Sequence, residues 1–387
     1  MKFETHGSFS AATENTIIEG LTIREGQVEG DEQKGGGIFI SNASPVFNNC
    51  IISDNRIVDT NGGWSRVRGG GVYAYQSNSV FNNVIFRSNE AFARTDNTYD
   101  DAYAYGGALF VDSGNIQLNN CTFENNSIYG DDRSGNGNSV AYIKGSGIHK
   151  TGGGTLSITG TQFYSNTVTW DGSQHDIKGG GIYTDGGTIN IVNCTIANND
   201  KHGIYRDGGD VNVDQSTIVY NQSSGLNGGN QYISNSIIWG NGDNDSGSIN
   251  YTYTNRQGSV PDGEGNISKD PWFVDSGNGN YNLKPGSVCI NRGSINELDS
   301  DVTRRDMGFS IYEHTYFGPE WHVSSDGDQL NGDGSVANPL SSVQAAINLA
   351  NEGDDIILSE GVYTGCLLYT SDAADEGLGV DLGGRRI

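Results

Sequence analysis

His149, Asp112 and Asp185 are the residues of this 387-residue chain whose types and spacing come nearest to acid–base chemistry. Each stands in a short segment led by glycine: GGALFVD ends at Asp112, GSGIHKT holds His149, and GGGIYTD ends at Asp185. With the three segments side by side, a histidine falls between two carboxylates, and an imidazole oriented by a carboxylate can act as a general base. The position of His149 carries a ring in the other segments as well: Phe39, Tyr73, Phe110, Tyr183 and Tyr205, before Asn227 ends the series. Two residues further on come Ser41, Tyr75, Asp112, Thr151, Asp185 and Asp207. Rings beside carboxylates suit a sugar chain, whose C–H faces pack on aromatic faces while its hydroxyls bond acids. Lys150 and Arg206, in the same segments, could neutralise a uronate. A stack of rings is equally an ordinary reinforcement of a parallel sheet, in which cross-strand pairs contribute ~0.2–1 kcal/mol each.

The elements that position these residues repeat. Glycine-led strands begin at Gly35, Gly69, Gly106, Gly145 and Gly179, with shorter echoes at Gly203 and Gly225. Each is followed by a segment closing on asparagine: Asn55, Asn89, Asn126, Asn166, Asn199, Asn221 and Asn241. From the first aliphatic residue of each strand (Ile38, Val72, Leu109, Ile148, Ile182, Ile204, Leu226) to that asparagine the separations are 17, 17, 17, 18, 17, 17 and 15. Within a unit apolar residues alternate, as in TINIVN, which is the strand period. The units at Ile182 and Ile204 lie 22 residues apart, enough for one coil of three short strands and three turns. One coil cannot bury its inner face, so coils stack in register. The asparagines then form side-chain ladders at the turns, where their tolerance of left-handed geometry is useful. Helical folds are excluded by 58 glycines, each costing ~1 kcal/mol relative to alanine in a helix interior.

This pattern resembles the right-handed parallel β-helix of pectin-lyase-like proteins, and its GG[GA][ILV] and xFxxNN pairs resemble the repeats of polymorphic outer-membrane adhesins. The resemblance covers roughly residues 15–241 and implies an all-β solenoid, with a substrate groove along the glycine sheet in the enzymes of that fold. KHGI at His202 resembles the GHG motif of polygalacturonases, but Lys201 replaces its first glycine, and neither an NTD motif, nor a matching DD motif, nor the RxPxxR pattern of pectate lyases is present. Residues 1–258 are expected to be coils. Residues 259–318, with DPWFVDSGNGNYNLKPGSVCINRGS and TRRDMG, resemble the closing segment of bacterial surface β-helix proteins. Residues 319–365 look like the truncated start of a second β-helix, with Val343, Ile347 and Ala350 on one helical face after Ser341 or Ser342 as N-cap. Residues 366–387 resemble a sequencing-library adapter translated in frame and are taken as not native. The N-terminus enters coil structure by Asn15, so any export signal is expected upstream of Met1.

Variable segments emerge from one edge, at residues 56–68, 90–105, 127–144 and 167–178. They are expected to be binding loops carrying Trp64, Phe92, Tyr99, Tyr103, Tyr105, Tyr129, Tyr142 and Trp170 beside the glycine strands, or aromatics that pack beneath their own loops. Acid-rich turns at 242–247 and 326–334 could bind calcium; the same glycine-rich turns read equally well without metal, and no metal-ligand set is assigned. With 47 acidic and 22 basic residues the net charge is −25, which repels nucleic acid and anionic membrane. Cys50, Cys121 and Cys194 share one repeat position and read as small core residues, not as a disulfide framework. The expected protein is an extracellular or cell-surface module of a larger bacterial protein, in single copy, binding a polysaccharide or surface glycan without catalysis. Its ligand-binding residues would be Phe39, Tyr73, Phe110, Tyr183, Tyr205, Asp207, Trp64 and Trp170. The alternative is a polysaccharide lyase or glycoside hydrolase using His149, Asp112 and Asp185, marked by basic and acidic side chains converging in the groove.

Overall fold

Strands of three or four residues with alternating parity cannot pair within their own coil, so each pairs with the equivalent strand one repeat away. The computed structural model, which describes residues 1–4, 12–30, 32–60, 63–97, 99–133, 139–172 and 175–363, has this arrangement throughout the repeats. The glycine strands Ile38–Ser41, Val72–Tyr75, Leu109–Asp112 and Ile148–Thr151 lie parallel and in one register that continues through Ile182, Ile204 and Leu226. A second face runs from Ile17–Glu19 through Val46–Asn48 and Val80–Asn82 to Ile249–Thr252. Two 11-residue strands, Ile182–Val192 and Ile204–Asp214, belong to both faces and join them into one 16-stranded sheet. The third face is a 9-stranded sheet from Thr22–Arg24 to Asn255–Arg256. The chain is therefore all-β, a right-handed parallel β-helix.

Parity fills the interior. Ile38, Val72, Leu109, Ile148, Ile182, Ile204 and Leu226 are fully buried. Phe86, Phe123 and Phe163 stack inside at 4.3 and 4.7 Å. Cys50, Cys121 and Cys194 are buried and unpaired, as small core residues. At the corner the closing asparagines form a continuous ladder. The amide of Asn55 donates to Asn89 at 3.0 Å, and the chain runs on through Asn126, Asn166, Asn199 and Asn221 to Asn241 at 2.8 to 3.0 Å. Gly106 starts its strand at φ 66°, and a Cβ on Gly107 would lie 2.5 Å from the Ser146 carbonyl of the next coil, which is why the turn is glycine-rich.

The variable segments are not loops. Their outbound halves, Arg56–Asp59, Glu90–Thr95, Ser127–Asp132 and Thr167–Asp171, join Gln27–Glu29 in a 5-stranded parallel sheet. Their return halves, Ser65–Arg68, Ala102–Tyr105, Ala141–Lys144 and His175–Lys178, form a 4-stranded one. Between the two sheets lies a separate thin core, including Ile57, Val67, Ala91, Ala93, Ala102, Ala104, Ala141 and Ile143. Alanine on both inner faces lets the sheets close to short range, so the four segments build a wing along the edge of the solenoid.

After the last coil the chain folds back over the outer face of the third sheet, where Phe273, Tyr281 and Leu283 bury against Ala197, Val219 and Ile237. The third sheet is thus covered along its C-terminal half. The strand Glu320–Asp328 pairs in parallel with Asp355–Leu358, and Trp321, Val323 and Leu340 share the core of the closing segment. The helix Val343–Leu349 follows Ser342 as expected but buries Val343, Ala345, Ala346 and Leu349, leaving Ile347 only partly covered and Ala350 as its C-cap. The adapter-like tail lies outside the described residues. Among the described residues no helix is long and apolar enough to cross a membrane.

Candidate binding groove

The glycine triplets fold the return sheet of the wing back toward the glycine sheet, so the two meet at a concave corner that runs along the solenoid axis. Three rows of side chains line it. The floor is the expected series Phe39, Tyr73, Phe110, His149, Tyr183 and Tyr205. The wall is formed by the residue just before each glycine-led strand: Lys34, Arg68, Tyr105, Lys144 and Lys178. Arg66 stands one pleat higher on the wall, beside Arg68 on the same strand. The opposite bank is Ser41, Tyr75, Asp112, Thr151 and Asp185. Fourteen residues from these rows and their turns enclose a groove of about 620 Å³ between Lys34 and Asp185.

The floor rings stack on one another. Centroid distances are 5.5 Å for Phe39–Tyr73, 5.5 Å for Tyr73–Phe110, 4.8 Å for Phe110–His149, 4.6 Å for His149–Tyr183 and 6.0 Å for Tyr183–Tyr205. Wall side chains lie over them from one coil back: Lys34 over Tyr73 at 5.3 Å, Arg68 over Phe110 at 5.9 Å, Lys144 over Tyr183 at 5.0 Å and Lys178 over Tyr205 at 5.5 Å. Tyr73, Phe110 and Tyr183 keep only 4%, 3% and 1% exposure. Their faces are occupied by neighbouring rings, so they cannot serve as the open stacking platform expected from sequence. They form a rigid floor that offers edges to a ligand. Phe39 and Tyr205, at the ends of the stack, are half-buried.

The candidate catalytic set is only partly assembled. His149 is 2% exposed, held between Phe110 and Tyr183 with Tyr105 4.8 Å away. Its Nε2 lies 3.8 Å from Asp185 Oδ2, beyond hydrogen-bond range, and its Nδ1 has no partner among the described residues. Burial pushes the imidazole pKa down, against the pull of Asp185. Burial alone would raise the Asp185 carboxyl, but His149, Thr151 and Lys144 around it hold it below the usual carboxylate range. Asp112 lines the same groove, where it accepts a hydrogen bond from Ser113 at 3.2 Å. Burial foremost, with Asp207 and Asp185 adding, drives the Tyr183 phenol far up, so it is no base.

Lys150 and Arg206 are not in the groove. Both occupy the inward parity filled by Ile40, Ala74 and Val111. The fully buried Lys150 ammonium donates to the carbonyls of Thr151, Gly152 and Gly153 at 2.6, 3.1 and 2.9 Å, and burial lowers its pKa to about 8. Arg206 donates from Nε to the Gly209 carbonyl at 2.7 Å. Each closes a turn instead of meeting a uronate. His202, whose pKa burial lowers to about 4, packs edge-on to Tyr205 at 4.9 Å. Trp170 is also displaced from its expected role. It is in register with Gly130, which faces the wing core, and its indole lies tilted against His175 at 5.0 Å and beneath Lys201 at 4.5 Å. Trp64 does stand at the lip of the wall, 55% exposed, stacked at 6.0 Å on Tyr103, which in turn stacks at 4.9 Å on Tyr142.

The wall cations were missed from sequence, although their signal is regular: Lys, Arg, Tyr, Lys and Lys immediately precede the five glycine strands. Neither Lys34 nor Arg68 has a carboxylate within ion-pair distance among the described residues, while Arg66 reaches Glu32 at 3.7 Å. Of the acid-rich segments, Asp243–Ser246 is a strand, where Asp245 is held by Arg256, and Asp328 caps the backbone of Leu330 and Asn331 at 2.7 and 3.1 Å. No group of three or more His, Cys, Asp or Glu able to hold a metal occurs among the described residues.

Fold and groove together define a parallel β-helix with a pectin-lyase-like architecture and a channel along its glycine sheet. Residues 3–163 match the family described as right handed beta helix region, which covers the coils that carry most of the groove. No curated protein and no solved structure matches the chain.

Proposed function

We propose that the protein is a secreted or cell-surface carbohydrate-binding module that holds an anionic glycan in this groove without cleaving it. The observation that carries the reading is the pair of unpaired wall cations. In a chain of net charge −25, Lys34 and Arg68 stand over an aromatic floor without a carboxylate partner among the described residues, opposite the hydroxyls of Ser41, Tyr75 and Thr151. A uronate polymer matches both sides. Its carboxylates meet the cations, while its hydroxyls meet the bank, where Asp112 and Asp185 accept hydrogen bonds. Trp64 at the lip supplies the accessible ring face that the buried floor lacks.

The test is retention of the protein on immobilised polygalacturonate, alginate and hyaluronan at low and high salt. Exchanging Lys34 and Arg68 together for Gln is expected to abolish retention with the fold intact by circular dichroism. Unchanged retention in that variant, or none in the wild type on any anionic glycan, refutes the reading. A second reading, cleavage of the polymer in the same groove, is favoured by the convergence of Lys34, Arg66 and Arg68 with Asp112 and Asp185. It requires new reducing ends or unsaturated uronate to accumulate, and their loss in Asp185→Asn.

A further inference from the structure

The groove is tied across at one end. From Lys34 to Tyr105 no hydrogen bond or ion pair joins wall to bank among the described residues. At the next two coils the wall crosses the floor. The Lys144 ammonium donates to the Tyr183 hydroxyl at 3.2 Å, that hydroxyl donates to Asp207 Oδ2 at 2.8 Å, and Lys178 donates to the same oxygen at 3.0 Å. Asp176 braces both lysines from the wall, 3.9 Å from Lys144 and 3.4 Å from Lys178. Desolvation opposes the charge on Lys178, yet its hydrogen bond to Asp207 and the nearby Asp176 raise its pKa, so the tie stays ionised. Beyond it the wing ends, since the next connections, residues 200–202 and 222–224, are too short to form a wall. At the other end the groove runs on into a hollow of about 610 Å³ lined by Lys2, Glu32, Gln33, Lys34 and Phe39.

We infer that the groove recognises the terminus of an anionic glycan chain, with the Lys178–Asp207 tie as the stop against which the last sugar abuts. The inference rests on the proposed glycan-binding reading and adds its geometry. An open channel accepts any internal stretch of a polymer, whereas a blocked one accepts only an end. Five glycine strands, from Ile38 to Ile182, floor the groove, and at ~4.8 Å per coil they span ~19 Å, the length of a short oligosaccharide.

The experiment measures how many protein molecules bind per chain on size-fractionated polygalacturonate, alginate and hyaluronan of increasing length, by analytical ultracentrifugation. One protein per chain whatever the length, with short oligomers bound as tightly as long ones, is the expected result. Opening the stop by Lys178→Ala, or by Asp207→Asn should the first variant misfold, is expected to raise the number bound on the longest chains at least twofold. Binding by the wild type that grows in proportion to chain length and is lost in the Lys34→Gln, Arg68→Gln variant overturns the end-recognition inference and leaves the glycan reading standing. Absence of binding to all three polymers overturns both.

Discussion

Replacing Tyr73 by Ala separates a structural floor from a binding platform. The ring is 4% exposed and stacked at 5.5 Å on both Phe39 and Phe110. Two aromatic pairs are worth ~0.5–1.5 kcal/mol each beyond their buried area. Truncating a buried aromatic side chain costs ~3–5 kcal/mol in all. Because coils contact only their neighbours, the gap interrupts coupling between the coils on either side. For a unit of this size each kcal/mol lowers Tm by ~2–4 °C, so a fall of ~6–20 °C is expected in a thermal scan followed by circular dichroism. Amide exchange should rise first in the strands holding Phe39 and Phe110. Trp64→Ala, at 55% exposure, is the matched control and should shift Tm by no more than a degree or two while weakening glycan retention. A Tyr73→Ala protein of unchanged Tm that no longer binds glycan would refute the burial argument and restore the ring as a ligand contact.

Two further outcomes follow from buried polar groups. Asn126→Ala removes an amide that donates to the Phe86 carbonyl at 2.9 Å and to Asn166 at 3.0 Å and accepts from Asn89, so at least two buried groups lose partners; a loss of ~3 kcal/mol or more in urea unfolding is expected. Asp306 is fully buried in the closing segment, and burial above all, reinforced by Asp299 and Asp301, raises its pKa to about 7. The folded form therefore keeps a proton that the unfolded chain releases above ~4, so the closing segment should lose stability as pH rises from ~4 to 7 and then level off. Asp306→Asn should flatten that slope relative to the wild type, measured by tryptophan fluorescence during urea titration at each pH.

The solenoid was legible because its signals are redundant. Glycine triplet, inward aliphatic and closing asparagine all repeat, and the asparagine ladder is where the spacing put it. The wing was harder to see. Its strands alternate as clearly as any, in EAFART, DAYAY and VAYIK, but the inward residues are mostly alanine, which gives little contrast with its polar neighbours. Read as loops, these segments left the wall row without a sheet to stand on, and Lys34, Arg68 and Lys178 passed unnoticed.

The residues misassigned within the groove show which kind of inference governs a stacked fold. Lys150 was given a ligand role because it is a cation, yet it stands two residues after Ile148, at the parity of Ile40 and Val111, and that parity points it inward. The fold accommodates it by bending the ammonium back onto three turn carbonyls. Trp170 was given one because it is an aromatic in a variable segment, yet its register partner Gly130 faces the wing core. His149 tests the converse. Its parity is outward, as expected, and it is nonetheless buried, because Tyr105 reaches over it from the wing. Parity along the strand therefore decides which side of a sheet a residue joins, whatever its chemical type. Access to solvent is decided one level higher, by the neighbouring sheet. In this protein that sheet is the wing wall, so the groove's chemistry is set by the residues just before each glycine-led strand as much as by those after it.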